Sequence, residues 1–292
     1  MRIKSSGQPL IDNVDYIFFD CDGVLWRGSQ PILGAAETLI QLRDSGKRLY
    51  FITNNSTQTR DSMKARMVTF GMEVENREIL SSSYLTACFL KKQIASGLVV
   101  YCVGGDALVQ ELSSAGFKVL GGPQDDNLRL GLLDESIPID GHDQAAAVVV
   151  GFDVAFNYAK LAKAQQYLRQ TGCLFVATNN DPTFPAKGSA ILPGCGCFLA
   201  AVETASGRKA SIVSKPSTFA YSLIKELEPG INPEKCLMVG DRLETDIAFG
   251  RECGMKTLLV ETGVHSELDL SRFPSHLHPD FIADGVQDLI SP

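Results

Sequence analysis

Residues 16–26 read Tyr-Ile-Phe-Phe-Asp-Cys-Asp-Gly-Val-Leu-Trp, YIFFDCDGVLW. Four apolar residues run straight into two carboxylates held one residue apart. A continuous apolar run suits a strand buried on both faces of a parallel sheet. Asp and Gly after it are compatible with an ordinary turn. They are equally compatible with an acidic site, because open α/β sheets bind ligands at the carboxyl ends of their strands. The rest of the chain has to separate the two readings.

Outward from that stretch, strand and helix signals alternate. ILGAAETLIQLRDSG has helical periodicity, with Leu33, Ala36, Leu39, Ile40 and Leu42 on one side and a stop at Gly46. KRLYFITNN follows as a strand, then a polar loop and the helix DSMKARMVTFG. The end of the chain alternates in the same way, through the strand ASIVSK, a helix through TFAYSLIKELE, the strand KCLMVGD, the helix ETDIAFGRECG and the strand KTLLVE. The middle supplies LVVYCVGG, AAAVVVGF and CLFVATNN, each followed by a helical pattern. Segment 121–144 is turn-rich and reads as a surface excursion. This order predicts an α/β protein with a Rossmann-like parallel sheet and a separate α/β unit inserted in it. The boundaries fall near residues 95 and 210, giving 1–95, 96–209 and 210–292. LRDSGKRLYFITNN at 42–55 is echoed by LRQTGCLFVATNN at 168–180. The second copy has GFD at 151–153 where the first has DCD, so no second catalytic site is expected there.

Composition narrows the function classes. With 45% hydrophobic and 21% charged residues over 292 positions, the chain can bury a substantial core. A net charge of -7 argues against nucleic acid as a partner, which calls for a basic stripe. No targeting segment stands out, and no apolar run approaches the roughly 18 residues of a membrane span. The eight cysteines mostly sit in apolar runs, where Cys acts as a small hydrophobe, and the reading is a reduced, cytoplasmic protein. Cys195-Gly196-Cys197 with His276 and His278 fits no common zinc spacing. His142, His265, His276 and His278 lie in loop-like stretches and are read as surface residues. Trp26, the single Trp, fits core packing or a wall of the site equally well.

Polar residues recur at strand ends: Asp20 and Asp22 after YIFF, Thr53, Asn54 and Asn55 after LYFI, Lys215 after SIVS, Asp241 after LMVG, with Asp246 at a helix start. Neighbouring parallel strands would bring them to one sheet edge. Carboxylates at one point repel unless a cation is bound, and Mg²⁺ takes one or two carboxylates plus substrate phosphate. A carboxylate can attack phosphorus, and a lysine beside it offsets the repulsion.

DCDGVLW, ITNNS, SKPS and VGDRLETDI resemble, in order and spacing, the four motifs of haloacid-dehalogenase-superfamily phosphatases. The likeness is narrower to the p-nitrophenylphosphatase, phosphoglycolate phosphatase and pyridoxal-phosphate phosphatase subgroup, and runs from about residue 14 to the end. It implies that Asp20 is the nucleophile and a Mg²⁺ ligand. It makes Asp22 the general acid/base, with its carbonyl also on Mg²⁺. Gly23 supplies a turn and a backbone N–H toward phosphate. Thr53 and Asn54 bind the phosphoryl group, Asn55 supports their loop, and Lys215 neutralises phosphate and Asp20. Asp241 completes the metal ligands and Asp246 supports them. The middle unit becomes a cap, 96–209, and Asn179–Ala186, with Phe184, falls at the substrate-specificity loop. Thr183-Phe184 stands where pyridoxal-phosphate phosphatases carry Trp-His, which favours a small anionic phosphate ester such as 2-phosphoglycolate, with p-nitrophenyl phosphate as an artificial substrate. Pyridoxal 5'-phosphate or a phosphoprotein are the alternatives, and a non-catalytic phosphate-binding scaffold is the rival of another class. A homodimer through the cap is implied by the resemblance alone.

Overall fold

A computed structural model describes residues 2–3, 7–130, 144–185 and 191–290. His142, Ala186 and segment 131–143 of the turn-rich excursion lie outside the described residues. The chain divides into two compact units. One comprises Met1–Thr53, Arg60–Leu80 and Lys215–Pro292; the other comprises Asn54–Thr59 and Ser81–Ser214.

The first unit is built on a six-stranded sheet. Its order is Phe281–Ala283, Lys256–Val260, Cys236–Gly240, Tyr16–Phe19, Arg48–Thr53, Ile79–Ser81. Tyr16–Phe19 is central and parallel to both neighbours, with Phe19 opposite Val239 on one side and Phe51 on the other. Ile17, Phe18 and Phe19 are fully buried, as a doubly covered strand requires. Ile17 and Phe19 pack into a core with Leu39, Leu42, Phe51, Met63 and Val239. Phe18 faces the opposite side, stacked on Tyr50 at 5.3 Å and edge-on to Tyr221 at 6.3 Å.

Helix Ala35–Asp44 covers one face and stops as the sequence predicts, with Gly46 at φ +78°. Its buried stripe is Ala35, Thr38, Leu39 and Leu42. Leu33 and Ile40, expected on that stripe, are exposed. Leu33 precedes the helix, before Gly34, and Ile40 sits a third of a turn beyond the stripe.

The second unit carries a five-stranded parallel sheet, ordered Ser211–Ile212, Leu174–Ala177, Ala147–Val150, Val99–Val103, Lys118–Gly121. Ser211–Ile212 corrects a sequence expectation. ASIVSK was expected to be a strand of the same sheet as YIFF, but Ser211 and Ile212 pair with Val176 and Ala177 of the second sheet. Lys215 alone of that stretch belongs to the first unit. Short apolar strands read alike whichever sheet they join, so pattern could not assign it. In the echo, Asp153 takes the place of Asp22, and there it is neutralised by Lys160 Nζ at 2.8 Å. Lys163, Asp125 and the Tyr101 hydroxyl extend that buried network. Among the described residues no helix is long and apolar enough to cross a membrane.

Candidate active site

The central strand keeps its register one residue past Phe19: the Asp20 N–H donates to the Val239 carbonyl at 2.9 Å. Asp241 follows one residue past Gly240, the end of the neighbouring strand. The two carboxylates therefore leave adjacent strands at one sheet edge. Lys215 reaches between them from a separate segment. Its Nζ lies 2.5 Å from Asp20 Oδ1 and 2.6 Å from Asp246 Oδ1.

Asp246 sits in a wide π-type turn, Leu243–Ile247, that carries the chain from the strand into helix Ala248–Glu252. That turn aims the side chain back at the strand end. Asp246 Oδ2 accepts the backbone N–H groups of Asp241 (3.2 Å) and Arg242 (3.0 Å). Gly240 makes room for this, because a Cβ there would overlap the Asp246 side chain. Both oxygens of Asp246 are thus occupied by protein donors. Among the described residues Asp20 and Asp241 each keep one oxygen with no protein donor, Asp20 Oδ1 being held by Lys215 and Asp241 Oδ2 by the Val264 N–H at 2.8 Å.

One oxygen from each of Asp20, Asp241 and Asp246 lies within 4.8 Å of the others, and all three residues are buried. Burial, then repulsion from Asp246 and Asp241, pushes the Asp20 carboxyl well up despite Lys215. Burial and Asp246 push Asp241 up to about 7. On Lys215, burial lowers the ammonium pKa most, but Asp20 and Asp246 together outweigh it and raise it. Three carboxylates against one ammonium leave an excess of negative charge among buried side chains. Hard oxygen donors with that charge suit a divalent cation of the Mg²⁺ type, with Asp20 and Asp241 as its protein carboxylates.

Gly23 and Gly263 close around Asp241. Gly23 has φ +93°, and a Cβ on either glycine would run into the Asp241 carboxylate. Gly263→Ala is expected to displace Asp241 and weaken activation by Mg²⁺ about 10-fold or more. A titration of activity against Mg²⁺ checks this; an unchanged activation constant would show that the cradle is irrelevant.

Of the remaining sequence candidates, Asp22 lies in the loop after Asp20 and accepts the Trp26 indole N–H. Thr53 ends the strand beside Tyr16–Phe19 and is buried. Asn54, Asn55 and Phe184 belong to the second unit. There the Asn54 amide donates to Asp181 at 2.9 Å, Asn55 Oδ1 caps the Thr57 N–H and hydroxyl, and Phe184 packs edge-on against Phe152.

Sequence reasoning missed the Gly263–His265 segment. The His265 Nδ1 accepts the Leu243 N–H at 3.0 Å, and the His265 N–H donates to the Asp241 carbonyl at 3.0 Å. Burial lowers its pKa, in the direction that favours the neutral imidazole an accepting Nδ1 requires. Reading it as a surface residue is therefore wrong, and so is that reading for His278, whose Nε2 reaches the Leu270 and Phe273 carbonyls. The available signal was the polar ETGVH after strand KTLLV, the same strand-end pattern that flagged Asp20.

Sequence profiles of the haloacid dehalogenase-like hydrolases match residues 17–118, and HAD-hydrolase-like profiles match residues 212–289. The chain is 42% identical to the glycerol-3-phosphate phosphatase of Mus musculus, over 96% of this chain and 91% of that one. It is 40% identical to phosphoglycolate phosphatase 1A, chloroplastic, of Arabidopsis thaliana, over 98% of this chain and 79% of that one. Among solved structures, a glycerol phosphate phosphatase from Mycobacterium tuberculosis in complex with magnesium superposes with a TM-score of 0.81 at 29% identity. That match covers 98% of this chain and 78% of the other, and the same protein has also been solved with calcium.

Proposed function

The chain belongs to the haloacid dehalogenase-like hydrolases, and from that membership we propose that Asp20 and Asp22 cleave small phosphate monoesters through an aspartyl-phosphate. It is a phosphoric monoester hydrolase whose relatives are small-molecule phosphatases. The observation that carries the proposal is the buried meeting of Asp20, Lys215, Asp241 and Asp246.

In the first step the open Asp20 oxygen attacks phosphorus, and Asp22 gives a proton to the departing alkoxide. In the second, Asp22 takes a proton from water, whose oxygen attacks phosphorus and frees the Asp20 carboxylate. Lys215 holds Asp20 and faces the phosphoryl charge. Thr53 and Asn54 are assigned to the phosphoryl oxygens, with Asn55 supporting their loop; the Gly23 N–H, expected to face phosphate, instead donates to the Trp26 carbonyl at 2.7 Å, so Gly23 keeps only its turn role. Mg²⁺ held by Asp20, Asp241 and the Asp22 carbonyl would supply Lewis-acid neutralisation of the phosphoryl oxygens.

Residues 96–209 are assigned as a cap that excludes water and shapes the leaving-group pocket, with Phe184 in it. A homodimer through that unit belongs to the same proposal. So does a cytoplasmic, reducing setting, supported by eight cysteines that all stand as free thiols.

The substrate class proposed is a short alkyl phosphate with a polar or anionic tail: 2-phosphoglycolate first, and glycerol 3-phosphate on the strength of the 42% relative. Phosphate release from both, from pyridoxal 5'-phosphate and from p-nitrophenyl phosphate, with Mg²⁺ and with EDTA, tests this. The short alkyl esters should have the highest kcat/KM, EDTA should abolish turnover, and Mg²⁺ should raise the melting temperature. Undiminished hydrolysis in EDTA, or a preference for pyridoxal 5'-phosphate, would refute the corresponding part.

A further inference from the structure

The loop between Asp20 and the short hairpin strand Trp26–Arg27 is tied to itself. Leu25 and Trp26 N–H groups donate to the Cys21 carbonyl at 2.9 and 3.2 Å, and the Gly23 N–H donates to the Trp26 carbonyl at 2.7 Å. One side chain crosses this turn: the Trp26 Nε1–H donates to Asp22 Oδ1 at 2.8 Å. We propose that Trp26 is a positioning residue for the reaction, holding the Asp22 carboxylate in the orientation from which it gives and takes the proton. This rests on the assignment of Asp22 as acid/base and deepens it.

Three observations carry the inference. First, Trp26 is 1% exposed and cannot follow a mobile Asp22. Its ring packs 6.1 Å from Phe70, with the Arg66 guanidinium 4.6 Å from its centroid. Second, an indole has a single donor in a fixed direction, so a clamped ring fixes the site of the carboxylate it binds. Third, Asp22 is only half-buried, and its second oxygen has no protein donor among the described residues. One oxygen is therefore anchored and the other is open for proton transfer. Filling the core alone would need only an apolar ring of similar size; the indole N–H aimed at Asp22 is the part that packing leaves unexplained.

Because Trp26 is the only Trp, replacing all tryptophan with 3-benzothienylalanine changes one atom group in the whole protein, N–H to sulfur. Shape and packing stay, and the hydrogen bond goes. Single-turnover cleavage of 2-phosphoglycolate, whose alkoxide needs a proton, is expected to slow about 10-fold, a fraction of the 10²–10⁴ range of acid–base catalysis. Cleavage of p-nitrophenyl phosphate, whose leaving group needs little protonation, should stay within about twofold, with KM and melting temperature unchanged.

Trp26→Phe serves as a second variant. In an Asp22→Asn background it should cause no further slowing of 2-phosphoglycolate cleavage, because a residue acting through Asp22 has nothing left to position. Equal slowing of both esters, no slowing of either, or full additivity with Asp22→Asn would overturn the inference. Asp22→Asn alone separates the levels. If it spares 2-phosphoglycolate cleavage, the acid/base assignment itself fails; if it is damaging and the analogue is silent, only the role of Trp26 fails.

Discussion

Asp20→Asn is expected to reduce kcat by at least about 10⁴-fold while leaving the fold in place, the scale on which loss of a nucleophile acts. The size follows from chemistry: an amide cannot form the acyl phosphate, and the neighbouring carboxylates are each held by other donors. Asp246 has one oxygen on Lys215 and the other on two backbone N–H groups. Asp241 is held by the Val264 N–H on an adjacent strand end. The fold survives because the substitution is nearly isosteric. The Asn carbonyl still accepts from Lys215, and one of three crowded charges disappears. Burial and the neighbouring Asp246 and Asp241 already press the Asp20 carboxyl toward its neutral form, so a neutral residue there is tolerated. The measurement pairs turnover with intact mass after acid quench during turnover. Wild type should carry one phosphoryl group and the variant none. Turnover within tenfold of wild type, or a phosphorylated variant, would move the nucleophile elsewhere.

Much of this site was legible before any fold was known, for a physical reason. Asp20 and Asp241 each follow an uninterrupted apolar strand, and such strands have few places to go but the middle of a parallel sheet. Once YIFF and CLMVG are paired, their next residues must meet. What stayed hidden was carried by backbone or by short elements. Ile79–Ser81 and Phe281–Ala283 are three residues each, too short for alternation to register. The Val264 N–H, the Gly263 cradle and the His265–Leu243 bond are loop geometry with no periodic trace. Trp26 was visible as a lone aromatic, but its ring could face a core or a site equally well. Only the position of Nε1 against Asp22 decides. The destination of Ser211–Ile212 depended on which of two open sheets the chain passes beside, a question of tertiary context.

Lys215→Met tests the electrostatic core of the site from the other side. The methionine keeps most of the apolar stem and removes the ammonium that lies within 2.6 Å of both Asp20 and Asp246. Removing one partner of a buried ion pair costs about 3–5 kcal/mol, because the remaining charge has lost both water and counterion. Here three carboxylates remain. The loss in kcat should be about 10³-fold, the scale of a preorganised charge aimed at a transition state.

Stability supplies the sharper reading, because it has a sign in pH. A carboxyl whose folded pKa is raised contributes fully below its unfolded value and loses that contribution as pH rises through the folded one. Asp20 is raised by burial and its acidic neighbours, and Asp241 is raised to about 7. Lys215 opposes both, and its own raised pKa keeps it charged throughout the neutral range. Without it the carboxyls rise further. In EDTA the melting-temperature gap between wild type and Lys215→Met should therefore widen between about pH 5 and about pH 8. Mg²⁺ should narrow the gap at the higher pH without closing it, since Asp246 loses the ammonium that Lys215 holds 2.6 Å from it. A gap that is constant with pH, or that shrinks on the alkaline side, would mean that Lys215 stabilises this site by packing and not by charge.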